Sequence, residues 1–167
     1  MPNFSLKDQV VFEAARQFAT PFHLYSERGI RQTARALKDA FGEIEDFREY
    51  FAVKALPTPA VLRILKEEGC GVDCASATEL MLADACGFQG GDIMFSANDV
   101  TGDEFALARR LGVHIVAGSV ADRRGSRIYN TAYVFDPEGR QIAKHRKMHL
   151  FDIQVTRGQC FKESDTL

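Results

Sequence analysis

The chain has no tryptophan, five prolines and four cysteines in 167 residues. Cys70 and Cys74 are not at knuckle spacing, and no second pair completes a site, so no metal is expected. The four thiols read as small reduced residues. No apolar run approaches the roughly 20 residues of a membrane span, and no basic stretch followed by a hydrophobic one opens the chain. A cytosolic protein with no membrane partner is the simplest expectation. Neither sign of charge predominates, with 21 Lys and Arg against 23 Asp and Glu. The formal net charge of −2 gives no reason to expect nucleic acid. The length leaves no room for a complete eight-unit barrel, which needs at least about 200 residues. What remains, at 46% hydrophobic and 26% charged residues, is an ordinary globular composition with material for one sizeable core.

The charge is unevenly placed. Residues 1–112 carry 12 Lys and Arg against 17 Asp and Glu, whereas residues 113–167 carry 9 against 6. The hydrophobic pattern changes in the same region. Val10, Val11, Ala14, Ala15 and Phe18 recur at helical spacing, Phe22 to Tyr25 reads as a short strand, and Ser26 can cap a helix bearing Ile30, Ala34, Leu37 and Phe41. Strands at 50–55, 71–75, 92–96 and 113–117 then alternate with helical stretches near 59–68, 77–85 and 103–111. That alternation predicts an α/β fold, a partial (β/α) barrel of about four parallel units. After Gly118 no amphipathic helix follows. Residues 128–135 and 140–146, joined by Asp136-Pro137-Glu138-Gly139, predict an antiparallel hairpin instead. Residues 148–167 read as irregular.

Chemistry concentrates first at Phe51-Ala52-Val53-Lys54-Ala55, an apolar strand ending on one lysine, with Leu56-Pro57-Thr58-Pro59 turning the chain away directly afterwards. An amine on apolar residues at the mouth of a parallel sheet can lose its proton and attack a carbonyl; the plainer reading is a solvated strand end. With Thr20 to Tyr25, Gly71-Val72-Asp73-Cys74-Ala75-Ser76, Glu79 and Asp92 to Asn98, this segment resembles the N-terminal half-barrel of the pyridoxal-phosphate-dependent decarboxylases of the ornithine/diaminopimelate type. The resemblance implies that Lys54 links the coenzyme covalently, and that Asp73 and Glu79 flank it in the cofactor pocket. Without it, Asp73 reads as a strand-end carboxylate bonded to loop amides, and Glu79 as a first-turn acid on its helix dipole. In that family the phosphate-binding glycine-rich segment, the ring-stacking histidine and the acid on the pyridine nitrogen all lie beyond the half-barrel. Weak or absent pyridoxal 5′-phosphate binding is therefore expected.

Residues 113–167 resemble a second family, the nitrilase-superfamily carbon–nitrogen hydrolases of the ω-amidase branch. The match runs through His114 to Ser119, Ile128-Tyr129-Asn130-Thr131, Val134 to Gly139, Ala143 to Ile153, and Phe161 to Ser164. It implies that Lys147 stabilises an oxyanion and that Glu163 is an auxiliary acid. Cys160 reads as a loop thiol, and Lys147 alone as one more cation at a basic strand end. His145 and His149 share no face in a strand followed by a loop. The chain thus reads as a chimera, 1–112 from one enzyme and 113–167 from another, with neither active site complete. Small amino-acid or amide substrates follow from the resemblances. Two further readings stand beside this one. One is an amidase using Lys147, Glu163 and Cys160; the other is a non-catalytic fragment that self-associates through open sheet edges.

Overall fold

The computed structural model describes residues 7–97, 100–149, 152–155 and 159–162, the last two stretches as backbone alone. Helix α1 (Asp8–Gln17) and helix α2 (Glu27–Ala40) precede the sheet. Strand β1 (Tyr50–Ala52) passes into a 3-10 turn, Val53–Ala55, and then α3 (Pro59–Glu67), β2 (Gly71–Cys74), α4 (Ala77–Ala85), β3 (Ile93–Ala97) and α5 (Gly102–Arg110) follow in turn. Strands β4 (His114–Arg124), β5 (Arg127–Phe135) and β6 (Gln141–Arg146) complete a six-stranded sheet in chain order, and β7 (Asp152–Val155) pairs with β8 (Gln159–Lys162) separately. Strands β1 to β4 are parallel; β4, β5 and β6 are antiparallel.

Local chemistry sets the helix starts. Ser26 Oγ accepts the Gly29 N–H at 3.1 Å to begin α2, and Pro59 opens α3 where a missing N–H costs no helical hydrogen bond. Thr101 and Glu104 form a reciprocal capping box on α5. Period-two alternation in the short strands sends Val72, Cys74, Ile93, Phe95 and Ile115 to one face. There they pack with Leu62 of α3, Leu80 and Ala83 of α4, Phe88 in the loop after α4, and Ala108 of α5. Phe95 and Leu62 are fully buried, each contributing about 1.5–3 kcal/mol of hydrophobic stabilisation. A satellite cluster of Ala34, Val61, Leu65 and Cys70 fastens α2 to α3.

The expected α/β architecture is present: four parallel strands with intervening helices, then the hairpin at 127–146. Four local expectations are corrected. The lysine strand ends at Ala52, because the chain must already curl toward Leu56-Pro57, so Lys54 sits in the 3-10 turn. Phe22 to Tyr25 forms no strand; it runs between two helices and has no partner in the sheet. β4 continues past Ala117 to Arg124, because its second half stays paired with β5 after a register shift between Ala117 and Val120. Residues 148–167 are not wholly irregular, since β7 and β8 form a two-stranded ladder; Cys160 therefore lies in a strand, not a loop.

Candidate functional site

At the C-terminal ends of the parallel strands, the register builds a small polar group on the face opposite the core. Ala52 pairs with Asp73 and Asp73 with Met94. Residues paired across a sheet share a face, and Ser96, two on from Met94, lies on that face as well. Ser96 Oγ donates to Asp73 Oδ1 at 2.5 Å. Asp73 Oδ2 accepts no hydrogen bond among the described residues. Lys54 follows β1 directly, is exposed, and makes no hydrogen bond or ion pair among the described residues. The structure thus brings Lys54 and Asp73 to adjacent strand ends, the carboxylate held at one oxygen by Ser96 and the amine exposed on the turn after β1.

Glu79 is oriented differently. Its Oε2 accepts the Ala75 N–H at 2.9 Å, and Ser76 Oγ donates to Oε1 at 3.3 Å while accepting the Glu79 N–H. Glu104 Oε1 reaches across from α5 to accept the Ala77 N–H at 3.2 Å, and Oε2 accepts from Thr101 N–H and Oγ1. These hydrogen bonds hold the Glu104 carboxyl below the usual carboxylate range, led by those from the Thr101 backbone and hydroxyl. The Ala75 and Ala77 amides are consequently occupied by the chain's own carboxylates, and the Glu79 amide by the Ser76 hydroxyl. For pyridoxal phosphate, the residues present fit the aldehyde end, through Lys54 and Asp73. The start of α4 offers the phosphate no free amides at Ala75, Ala77 or Glu79.

Lys147 lies elsewhere. It follows β6, half-buried, with its N–H donating to Asn130 O at 2.9 Å. Four strands separate β1 from β6, roughly 24 Å along the sheet at about 4.8 Å per strand. Lys54 and Lys147 therefore belong to different places. Glu163 lies outside the described residues, as does the side chain of Cys160. Among the described residues no three His, Cys, Asp or Glu side chains are grouped to hold a metal ion, and no helix is long and apolar enough to cross a membrane.

Sequence reasoning missed three polar groupings. One is Ser96 with Asp73, which strand alternation alone would have placed on a common face. Another is the Glu104 bridge between α4 and α5. The last is Asp122, whose side chain is 9% exposed and sits 3.2 Å from Arg124, 3.6 Å from Lys144 and 3.7 Å from Arg146. Burial pushes its carboxyl upward, yet hydrogen bonds from Tyr133 and Arg124 and the nearby cations hold it below the usual carboxylate range. Arg146 in turn stacks 3.9 Å over the Tyr129 ring. Nothing in Asp122-Arg123-Arg124 distinguishes it from a solvated charge run until β4 is paired with β5.

Parallel βα units in chain order, with helices packed on one face of the sheet, are the arrangement of part of a (β/α)-barrel type of protein. Residues 27–123 match the model of the pyridoxal-dependent decarboxylase family, pyridoxal binding domain, and the chain belongs to that family. Residues 99–167 match a second model, carbon-nitrogen hydrolase. Protein TabA of Pseudomonas amygdali pv. tabaci is 49% identical over 100 residues, 60% of this chain and 24% of that protein. Diaminopimelate decarboxylase of Methanothermobacter thermautotrophicus is 39% identical over 104 residues, 62% of this chain and 24% of that protein. An omega-amidase of Danio rerio is 45% identical over 60 residues, 36% of this chain and 22% of that protein. Among solved structures, lysine/ornithine decarboxylase of Vibrio vulnificus complexed with putrescine superposes with a TM-score of 0.61 at 26% identity, covering 67% of this chain and 30% of that one. The chain thus spans about a quarter of protein TabA and of the diaminopimelate decarboxylase and about a fifth of the amidase.

Proposed function

We propose that this chain is a decarboxylase-derived α/β protein that keeps the coenzyme-linking lysine, Lys54, captures pyridoxal 5′-phosphate weakly, and does not turn over amino acids. In this reading residues 1–112 are the decarboxylase-like part and residues 113–167 a carbon–nitrogen hydrolase-like part joined to it, and the protein works in a reducing cytosol. The observation that carries the reading is Lys54 itself: an exposed, unpartnered amine one strand from a carboxylate, in a sheet that turns antiparallel after its fourth strand.

Lys54 supplies the nucleophilic nitrogen, and Asp73 supplies a fixed negative charge beside it. Bound pyridoxal phosphate supplies an electron sink for loss of an amino-acid carboxylate as CO₂. Holding that group takes donors for its phosphate as well as an amine. At the start of α4 those donors are taken by Glu79, Ser76 and Glu104, which supports weak capture. The fourth strand is followed by β5 and β6 rather than further βα units, which supports an incomplete substrate site and leaves β1 and β6 as edges for self-association.

The test is titration of the purified protein with pyridoxal 5′-phosphate, followed by absorbance and by borohydride reduction with peptide mapping. The expected result is label at Lys54, lost in Lys54→Ala, that washes out on gel filtration when reduction is omitted. A coenzyme colour that survives gel filtration, or release of CO₂ from a basic amino acid at enzymatic rates, overturns the reading of weakness. Label spread evenly over surface lysines overturns the reading of Lys54.

A second reading is favoured by the match over residues 99–167: amidase chemistry with Lys147 as oxyanion stabiliser, Glu163 as auxiliary acid and Cys160 as thiol. Ammonia release from a short ω-amide, abolished by alkylation of Cys160, would establish it. Absence of release, or release indifferent to alkylation, would dismiss it.

A further inference from the structure

We propose that Ser96 is a positioning residue that acts through Asp73 to hold an acceptor oxygen beside Lys54, for the capture of an aldehyde by the lysine amine. The inference rests on the reading of Lys54 given above and extends it to Ser96, to which the resemblance assigns no role. Three observations carry it. Ser96 Oγ donates to Asp73 Oδ1 at 2.5 Å across the β2–β3 ladder. Asp73 Oδ2 is left without a hydrogen-bond donor among the described residues, although the residue is half-buried. The turn that carries Lys54 follows Ala52, the register partner of Asp73, and packs against β2.

A carboxylate held at one oxygen cannot swing about its last torsion, so its second oxygen keeps a fixed place on the sheet face. In this proposal that oxygen accepts an N–H from the amine of Lys54 when the lysine's flexible stem swings toward it, and so limits the directions the stem samples. Lys54 Nζ then adds to the aldehyde carbon, the carbonyl oxygen leaves as water with protons from the amine and solvent, and a carbon–nitrogen bond forms. Ser96 touches neither the aldehyde nor the amine. Its effect is entropic and directional, and it vanishes if Asp73 is absent.

That dependence gives the experiment. Full-length protein is incubated with pyridoxal 5′-phosphate at one concentration and reduced with borohydride, which turns the new bond into a stable secondary amine. The rate of labelling at Lys54 is measured by peptide mass spectrometry relative to the exposed lysines of the same molecule, in wild type, Ser96→Ala, Ser96→Thr, Asp73→Ala and the Asp73→Ala/Ser96→Ala double variant. Ser96→Ala is expected to lower the Lys54 preference about tenfold, the equivalent of about 1.4 kcal/mol, within the range of a hydrogen bond to a charged group. Ser96→Thr restores it, because the hydroxyl is retained. The double variant falls no further than Asp73→Ala alone, a coupling that mere loss of stability does not produce. Melting temperatures of all variants separate unfolding from mispositioning. Lys54 preference unchanged in Ser96→Ala overturns the role of Ser96 and leaves the Lys54 reading standing. Absence of any Lys54 preference in wild type overturns that reading itself. Additive losses in the double variant overturn action through Asp73.

Discussion

The most direct test of the sheet is a single methyl group at Gly118. β4 leaves β3 here, its parallel pairing ending at Ala117, while its antiparallel pairing with β5 shifts register between Ala117 and Val120. Gly118 has φ 151°, and a Cβ on it would stand 2.6 Å from Ala132 Cα, 3.0 Å from Ala132 Cβ and 3.0 Å from Thr131 O. Ordinary contacts to these atoms need about 3.4–4 Å, so Gly118→Ala requires β5 to retreat by nearly an ångström or the backbone of Gly118 to leave its conformation. Overpacking of this kind costs about 1–3 kcal/mol, and a positive φ on a residue with a side chain adds about 1 kcal/mol or more. About 3 kcal/mol is a large share of the roughly 5–15 kcal/mol that holds a domain together. For a chain of this size it lowers the melting temperature by about 6–12 °C. Thermal denaturation gives the magnitude, and amide hydrogen exchange gives the place: protection is expected to fall first along β5 and β6. A melting temperature within a degree of wild type, with β5 protection intact, would refute the pairing of the hairpin with β4.

Other perturbations test the rest of the chain. Phe95→Ala removes a fully buried ring between the sheet and its helices, and denaturant unfolding is expected to show a loss of about 3–5 kcal/mol; a loss under 1 kcal/mol would contradict the core. Glu68 joins α3 to α2 through Arg35 and Arg31, whose hydrogen bonds hold its carboxyl at about 2 against an ordinary 4.5. A depressed folded value stabilises above the unfolded one and is lost as pH falls through the folded one. The melting-temperature gap between wild type and Glu68→Gln is therefore expected to be full above pH 4.5 and to narrow toward pH 2; a gap independent of pH would exclude the linkage. Burial pushes the Cys74 thiol up to about 12, with Glu79 and Asp73 adding to it. Iodoacetamide at pH 8 is expected to spare Cys74 in the folded protein and to modify it after unfolding, as peptide mapping would report.

Much of this was readable from the residues, for reasons that differ by element. The parallel units were legible because Val72, Cys74, Ile93 and Phe95 alternate within short strands, and Gly69, Gly87 and Gly112 end the intervening helical stretches at positive φ. Lys54 was legible as a chemical candidate because one cation ends an apolar run. Its place in a 3-10 turn was not, since that depends on how β1 hands over to Pro57. Glu79 was named as a cofactor neighbour from the resemblance; that its carboxylate accepts from the Ala75 amide and the Ser76 hydroxyl is a local arrangement spacing cannot distinguish. Ser96 was invisible as a partner of Asp73 because their contact spans 23 residues and depends on register. β7 and β8 were missed because four-residue strands carry too little alternation to stand apart from a loop.

The two family matches overlap over residues 99–123, and β4 lies mostly within that overlap. A strand edge presents the same backbone N–H and C=O groups to a parallel or an antiparallel neighbour, so one strand can satisfy β3 on one side and β5 on the other. What the strand must also do is keep its apolar residues on the core face. Ile115 does so, packing beside Phe95 and Phe135 at 5% exposure, while the register shift after Ala117 re-aims the residues beyond it. Asp122 then points among Tyr133, Arg124, Lys144 and Arg146 instead of into solvent. The same strand therefore falls largely within both family matches and leaves no unpaired edge between β3 and β5. This physical continuity explains how two segments with different relatives share one sheet, while Lys54 and Lys147 remain at its opposite margins.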